Sequence, residues 1–135
     1  AAMPAIERTG PKSVAQAVSE AVCSAAGEVN LRCIAVFTES GTTARLISQY
    51  RPPCPIVGFS TVQATRRRLG LIWGVLPRPI GRVRSIHDLA RVAERRLLEE
   101  GLARKGDLVG IVAGTPLGRR GTANMLKLHT IGSAA

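Results

Sequence analysis

Apolar residues recur along this chain in two alternating rhythms. Val14, Val18, Ala21, Val22, Ala25 and Ala26 fall at helical spacing behind Pro11, which suits a first helical turn, and predict a helix over Lys12–Glu28. Cys33–Thr38 is a short continuous run of strand length. Ser40 then reads as an N-cap, with Gly41 and Thr42 opening a helix to about Tyr50 that Arg51-Pro52-Pro53 stops. Pro55–Ser60 reads as the next strand, Thr61–Leu69 as a short helix, and Ile72–Leu76 as the lead into a third strand ending near Pro79 or Ile80. Ser85 caps an amphipathic helix to Glu100, with Ile86, Leu89, Val92, Ala93 and Leu97 as its apolar stripe and Asp88 in its first turn. Leu108–Ala113 and Met125–Ile131 complete the pattern as the fourth and fifth strands.

Short apolar strands alternating with helices imply an α/β fold: three layers around a doubly wound, mostly parallel five-stranded sheet. Only a loop joins the last two strands, so the fifth is expected to be antiparallel and at an edge. Residues 12–131 read as one domain, with 1–11 a linker or residual tail and 132–135 a second tail. The first helix is rich in Ala and Val on more than one face, and the fifth strand has an open edge. Both are therefore expected to make subunit contacts, through Val18 or Val22 on the helix.

Composition narrows the picture. Hydrophobic residues make up 45% of the chain and aromatic ones 3%, so the core must be aliphatic. No apolar run approaches the ~20 residues of a membrane span, and no secretory signal opens the sequence. The net charge is +10, and sixteen of the nineteen basic residues are Arg. A nucleic acid could use such a surface, but with so few stacking platforms that partner is disfavoured. The three cysteines, Cys23, Cys33 and Cys54, lack metal-binding spacing and suit a reducing cytoplasm.

Two loops carry candidate chemistry. Thr38-Glu39-Ser40-Gly41-Thr42-Thr43 stands where a strand ends and a helix begins, so hydroxyls surround a helix N-terminus that favours anions. Helix capping by Ser40 alone is the plainer alternative. Gly118-Arg119-Arg120-Gly121-Thr122 joins the last two strands and offers two mobile guanidinium groups; a solvated hairpin loop is its alternative. In an open α/β sheet ligands gather beyond the carboxyl ends of the strands, so the loops converge if the first and fourth strands are neighbours. No acid, base, nucleophile or metal-ligand set is evident, so the chain alone is not expected to be catalytic.

The segments AVSEAVCSAA (Ala17–Ala26), FTESGTTARLISQYRPPCPI (Phe37–Ile56), Trp73-Gly74-Val75, KGDLVGIVAGTP (Lys105–Pro116) and GTANMLKLHTI (Gly121–Ile131) closely resemble the C-terminal domain of pyruvate kinases, in order and over about Ser13–Ile131. The resemblance implies the regulatory and tetramer-forming part of a glycolytic enzyme that converts phosphoenolpyruvate and ADP into pyruvate and ATP. It implies a catalytic barrel elsewhere in the same polypeptide, identical subunits as partners, and magnesium and potassium only in that barrel. Matched position by position, the effector site would comprise Thr38, Ser40, Gly41, Thr42, Thr43, Arg119, Arg120 and Gly121. Glu39 departs from the pattern: family members activated by fructose 1,6-bisphosphate often carry a basic residue there. A carboxylate within ~5 Å of a phosphate costs on the order of 1 kcal/mol, which favours a sugar monophosphate or AMP. A freestanding phosphometabolite-binding domain is the alternative.

Overall fold

A computed structural model describes residues 12–114 and 123–133. The order of elements is α1 (Val14–Glu28), β1 (Ile34–Phe37), α2 (Thr42–Gln49), β2 (Ile56–Ser60), α3 (Gln63–Leu69), β3 (Val75–Pro79), α4 (Ile86–Glu99), β4 (Leu108–Gly114) and β5 (Ala123–Thr130). The strands form one sheet in the order β3-β2-β1-β4-β5. β1 lies parallel to both β2 and β4, β2 parallel to β3, and β5 runs antiparallel along the β4 edge. The expected α/β architecture is thus present, and β1 and β4 are neighbours. β5 begins at Ala123, two residues before the sequence pattern signals it. β3 carries Pro77 and Pro79, tolerable because it is the other edge and its outer side needs no donors.

Alternation along the strands separates two cores. Ile34, Val36, Ile56 and Val112 face α1, α2 and α3, where they meet Val22, Ala26, Ala44, Ile47 and Leu69. Ala35, Val57, Phe59, Val109 and Ile111 face the other way and are covered by Leu89, Ala90, Ala93 and Leu97 of α4, with Ala103 and Ile131 alongside. Local signals set the helix ends. Ser13 forms a capping box with Gln16, so α1 starts at Val14, two residues inside the expected Lys12. Ser85 Oγ accepts from the Asp88 amide at 3.1 Å, as the sequence predicts for α4.

One expectation needs correction. Val22 is fully buried, so it belongs to the core and not to a subunit interface. The reason is Gly110 inside β4: a Cβ there would stand 2.8 Å from Val22 Cγ2. The missing side chain lets α1 press directly onto the sheet. The exposed apolar groups near that edge are instead Val14, 62% accessible, and Leu128, 45% accessible. Among the described residues, no helix is long and apolar enough to cross a membrane.

Candidate functional site

The β1–α2 turn is built around a left-handed glycine. Gly41, at φ +89°, is the N-cap of α2, which displaces Ser40 from that expected role. A Cβ at Gly41 would find room, so backbone conformation and not space selects glycine. Thr38 Oγ1 accepts from the Gly41 amide at 2.8 Å. Ser40 Oγ accepts from the Thr42 amide at 3.3 Å and donates to Thr42 Oγ1 at 3.1 Å. The first backbone bond of the helix runs from the Arg45 amide to Gly41 O at 3.1 Å, leaving the Thr43 and Ala44 amides in the turn ahead of it. Thr38 and Thr43 are buried, Ser40 is half-buried and Thr42 is exposed. The hydroxyls available to a ligand are therefore those of Ser40 and Thr42.

Glu39 is engaged with the neighbouring loop. Its carboxylate accepts from the Thr61 amide at 3.1 Å and from the Thr61 hydroxyl. Its carbonyl accepts from Thr65 Oγ1 at 2.7 Å. The arginine run of α3, which reads from sequence as a solvated face, contributes here as well. Arg66 donates to Ser60 O at 2.8 Å, and Arg68 donates to Ser40 O at 3.4 Å, placing a guanidinium beside the turn.

Next to this turn, at the carboxyl ends of the strands, lies a cleft of about 740 Å³. Phe37 and Phe59 stack with ring centroids 5.0 Å apart and help line it. Thr38, Glu39 and Thr61 form one wall, Ala113 and Gly114 at the end of β4 another, and the Ile80–Arg84 loop with Leu89 of α4 closes it. Of the residues proposed from sequence, Thr38 reaches this cleft, while Ser40, Gly41, Thr42 and Thr43 surround the helix start beside it. Arg119, Arg120 and Gly121 lie outside the described residues. Their flanks are fixed at this end, since Gly114 pairs with Ala123.

Sequence reading missed Arg82 and Arg84, which line the cleft from the β3–α4 loop. The signal was available: this is the third loop leaving the carboxyl end of a strand, and it is basic. His129 is buried and pairs with Glu94 of α4 at 3.2 Å, remote in role from any of these loops. Burial pushes the thiols of Cys23 and Cys54 up to about 11 and that of Cys33 up to about 12, so all three are poor nucleophiles. Among the described residues no three His, Cys, Asp or Glu side chains come together as a metal site would need.

The molecule is an α/β domain with a strand-end cleft beside a glycine-opened helix start. The family model for the pyruvate kinase alpha/beta domain matches residues 16–129. The pyruvate kinase of Lactobacillus delbrueckii subsp. bulgaricus is 40% identical over 125 residues, which are 90% of this chain and 20% of that protein. The pyruvate kinase of Clostridium acetobutylicum is 35% identical over 127 residues, 93% of this chain and 27% of the relative. A crystal structure of a pyruvate kinase from Cryptosporidium parvum superposes with a TM-score of 0.81 at 28% identity, covering 90% of this chain and 23% of the other. The Cryptosporidium parvum enzyme in complex with ADP gives 0.82, also at 28% identity, with 92% and 25% covered. The chain belongs to the pyruvate kinase alpha/beta domain family, and it spans about a fifth to a quarter of the relatives it matches.

Proposed function

We propose that this chain is the regulatory and assembly portion of a pyruvate kinase, and that it binds a phosphorylated small molecule between the Thr38–Thr43 turn and the loop carrying Arg119, Arg120 and Gly121. The observation that carries the reading is the strand-end cleft. Its volume lies within the ~300–1,000 Å³ usual for small-molecule sites, and Arg82 and Arg84 bring positive charge to its rim. The turn supplies the Ser40 and Thr42 hydroxyls and a helix N-terminus, the combination that holds phosphate. With Glu39 on the wall, a sugar monophosphate or AMP is favoured over a bisphosphate. Phosphoryl transfer from phosphoenolpyruvate to ADP, with its magnesium and potassium, then belongs to a barrel in the same polypeptide. That barrel could dock against Leu71, 90% accessible, and Trp73, 50% accessible. Val14 and Leu128 are the groups through which identical subunits would associate into a tetramer. The supporting observation for the barrel is that the chain spans only 20% and 27% of two relatives.

Thermal unfolding tests the site. A sugar monophosphate or AMP at ~100 times its dissociation constant should stabilise the fold by about 2.7 kcal/mol. Thr42→Glu should abolish the shift by placing a carboxylate where phosphate would sit. Glu39→Lys should add binding of bisphosphates, at the expense of the Thr61 contacts. If sugar phosphates, AMP and sulfate leave the melting temperature unchanged in both the wild type and Glu39→Lys, the turn is only a helix cap and the effector reading is wrong.

A further inference from the structure

The Arg82–Arg84 loop has a second side. Turned toward α4, it encloses a separate hollow of about 340 Å³ on the outer, solvent-facing surface of that helix. Four guanidinium groups line it: Arg82 and Arg84 from the loop, Arg91 and Arg95 from successive turns of α4. Asp88 supplies the single carboxylate, so the local balance is three positive charges.

Other arginines of the molecule show how this surface differs. Arg78 pairs with Glu100 at 2.6 Å, Arg96 donates to Pro79 O at 3.0 Å, and Arg51 stacks over Trp73 at 4.7 Å. Among the described residues, none of Arg82, Arg84, Arg91 and Arg95 makes an ion pair or a hydrogen bond. Arg91 and Arg95 stand four residues apart on one helix, where like charges repel. Arg82 and Arg84 stand before the N-terminus of α4, where the helix dipole disfavours cations and favours anions. Each placement is mildly unfavourable for the protein alone, and each becomes favourable when an anion occupies the hollow.

The shape selects among anions. Guanidinium forks match phosphate oxygens, and two pairs of them, one on the loop and one on the helix, suit a row of phosphoryl groups better than one. Val83 and Val92 are the only apolar walls, and no aromatic ring is present to stack on a base. A nucleic acid would need a longer track. We propose that this hollow, which shares only the Arg82–Arg84 loop with the strand-end cleft, is a second anion site that takes a linear oligophosphate of at least three phosphoryl groups. Inorganic tripolyphosphate and the tail of a nucleoside triphosphate share that chemistry.

Titration calorimetry of the 135-residue chain with inorganic tripolyphosphate tests the proposal. Arg91→Gln/Arg95→Gln should weaken binding about tenfold, the scale of two exposed charge pairs. Arg45→Gln/Arg67→Gln removes the same charge from exposed positions off the hollow and should change affinity less than about twofold. Circular dichroism confirms that both variants fold. Equal losses in the two variants would mean diffuse surface charge and overturn the site, as would no binding by the wild type at physiological ionic strength. A nucleoside triphosphate that binds as tightly as tripolyphosphate assigns the tail as the ligand; one that does not assigns the free oligophosphate. Tripolyphosphate binding by a protein that ignores sugar phosphates would uphold this site and sink the effector reading.

Discussion

The two faces of the sheet are closed by different means. Three helices cover one face, and their contacts are apolar: Val22, Ala44, Ile47 and Leu69 meet Ile34, Val36 and Ile56 with almost no accessible surface. One helix covers the other. α4 supplies Leu89, Ala90, Ala93 and Leu97 along its centre, and its flanks are tied by polar contacts. Glu94 reaches His129 and the Gly132 amide on the β5 side, while Arg96 reaches Pro79 O on the β3 side, and Glu100 reaches Arg78 there. A single helix cannot span five strands spaced roughly 4.8 Å apart. The uncovered remainder becomes the cleft over Phe37 and Phe59, and the chain has placed its arginine-bearing loop there. Apolar helix packing is concentrated on the crowded face, and the arginine-lined cleft lies on the sparse one.

The largest way to break that contrast lies on the crowded face. Val22→Glu places a carboxylate at a site with no accessible surface and should cost several kcal/mol, on the order of 3–5, or prevent folding. Val14→Glu, on the same helix but exposed, should alter unfolding in urea by less than about 0.5 kcal/mol. It should still weaken self-association, read by sedimentation, if α1 and β5 form the subunit contact. Equal destabilisation by the two substitutions would mean that α1 is not packed as described. Gly110→Ala comes next. The added methyl would meet Val22 Cγ2 at 2.8 Å and Leu31 Cδ1 at 3.1 Å. Overpacking of this kind costs about 1–3 kcal/mol. No loss in a denaturant titration would show that α1 has room to move away.

The comparison also explains what could be read from the sequence. Element order and type follow from apolar spacing, and every helix and strand expected from it is present. The strand-end location of the cleft follows from topology, because β1 and β4 are neighbours. Two misses share a cause: they depend on how closely two backbones approach or on a single dihedral angle. Val22 looked surplus on an Ala/Val-rich helix because nothing local says that Gly110 will admit it. Ser40 looked like the cap because the left-handed turn at Gly41 shifts the cap by one residue. Arg82 and Arg84 went unread although their loop leaves the carboxyl end of a strand, because the two phosphate-binding patterns drew the reading to the other loops.

A smaller effect sharpens the contrast on the sparse face. Ser85→Ala removes the hydroxyl that accepts from the Asp88 amide and should cost about 1 kcal/mol, typical of an N-cap. Because Ser85 closes the loop that carries Arg82 and Arg84, the same variant should also loosen ligand binding in the cleft. A stability loss with unchanged ligand affinity would separate the cap from the site.

The smallest expected effect depends on pH and touches only α4. Glu94 is held below the ordinary carboxylate value of 4.5, first by the Gly132 amide and then by His129, with burial opposing both. A carboxylate whose folded pKa is depressed stabilises the fold above its unfolded pKa and loses that contribution as pH falls through the folded value. Glu94 should therefore support α4 fully at neutral pH and progressively less below about 4.5. Glu94→Gln keeps an acceptor for the Gly132 amide and discards the charge. The difference in melting temperature between wild type and Glu94→Gln should be greatest near neutrality and shrink as the pH drops below the carboxylate range. The crowded face has no counterpart to this latch among its core contacts, so exchange protection in α1 and α2 should change little over the same interval while that in α4 falls. Parallel pH curves for the two proteins would remove Glu94 from the account and leave α4 held by its apolar stripe alone.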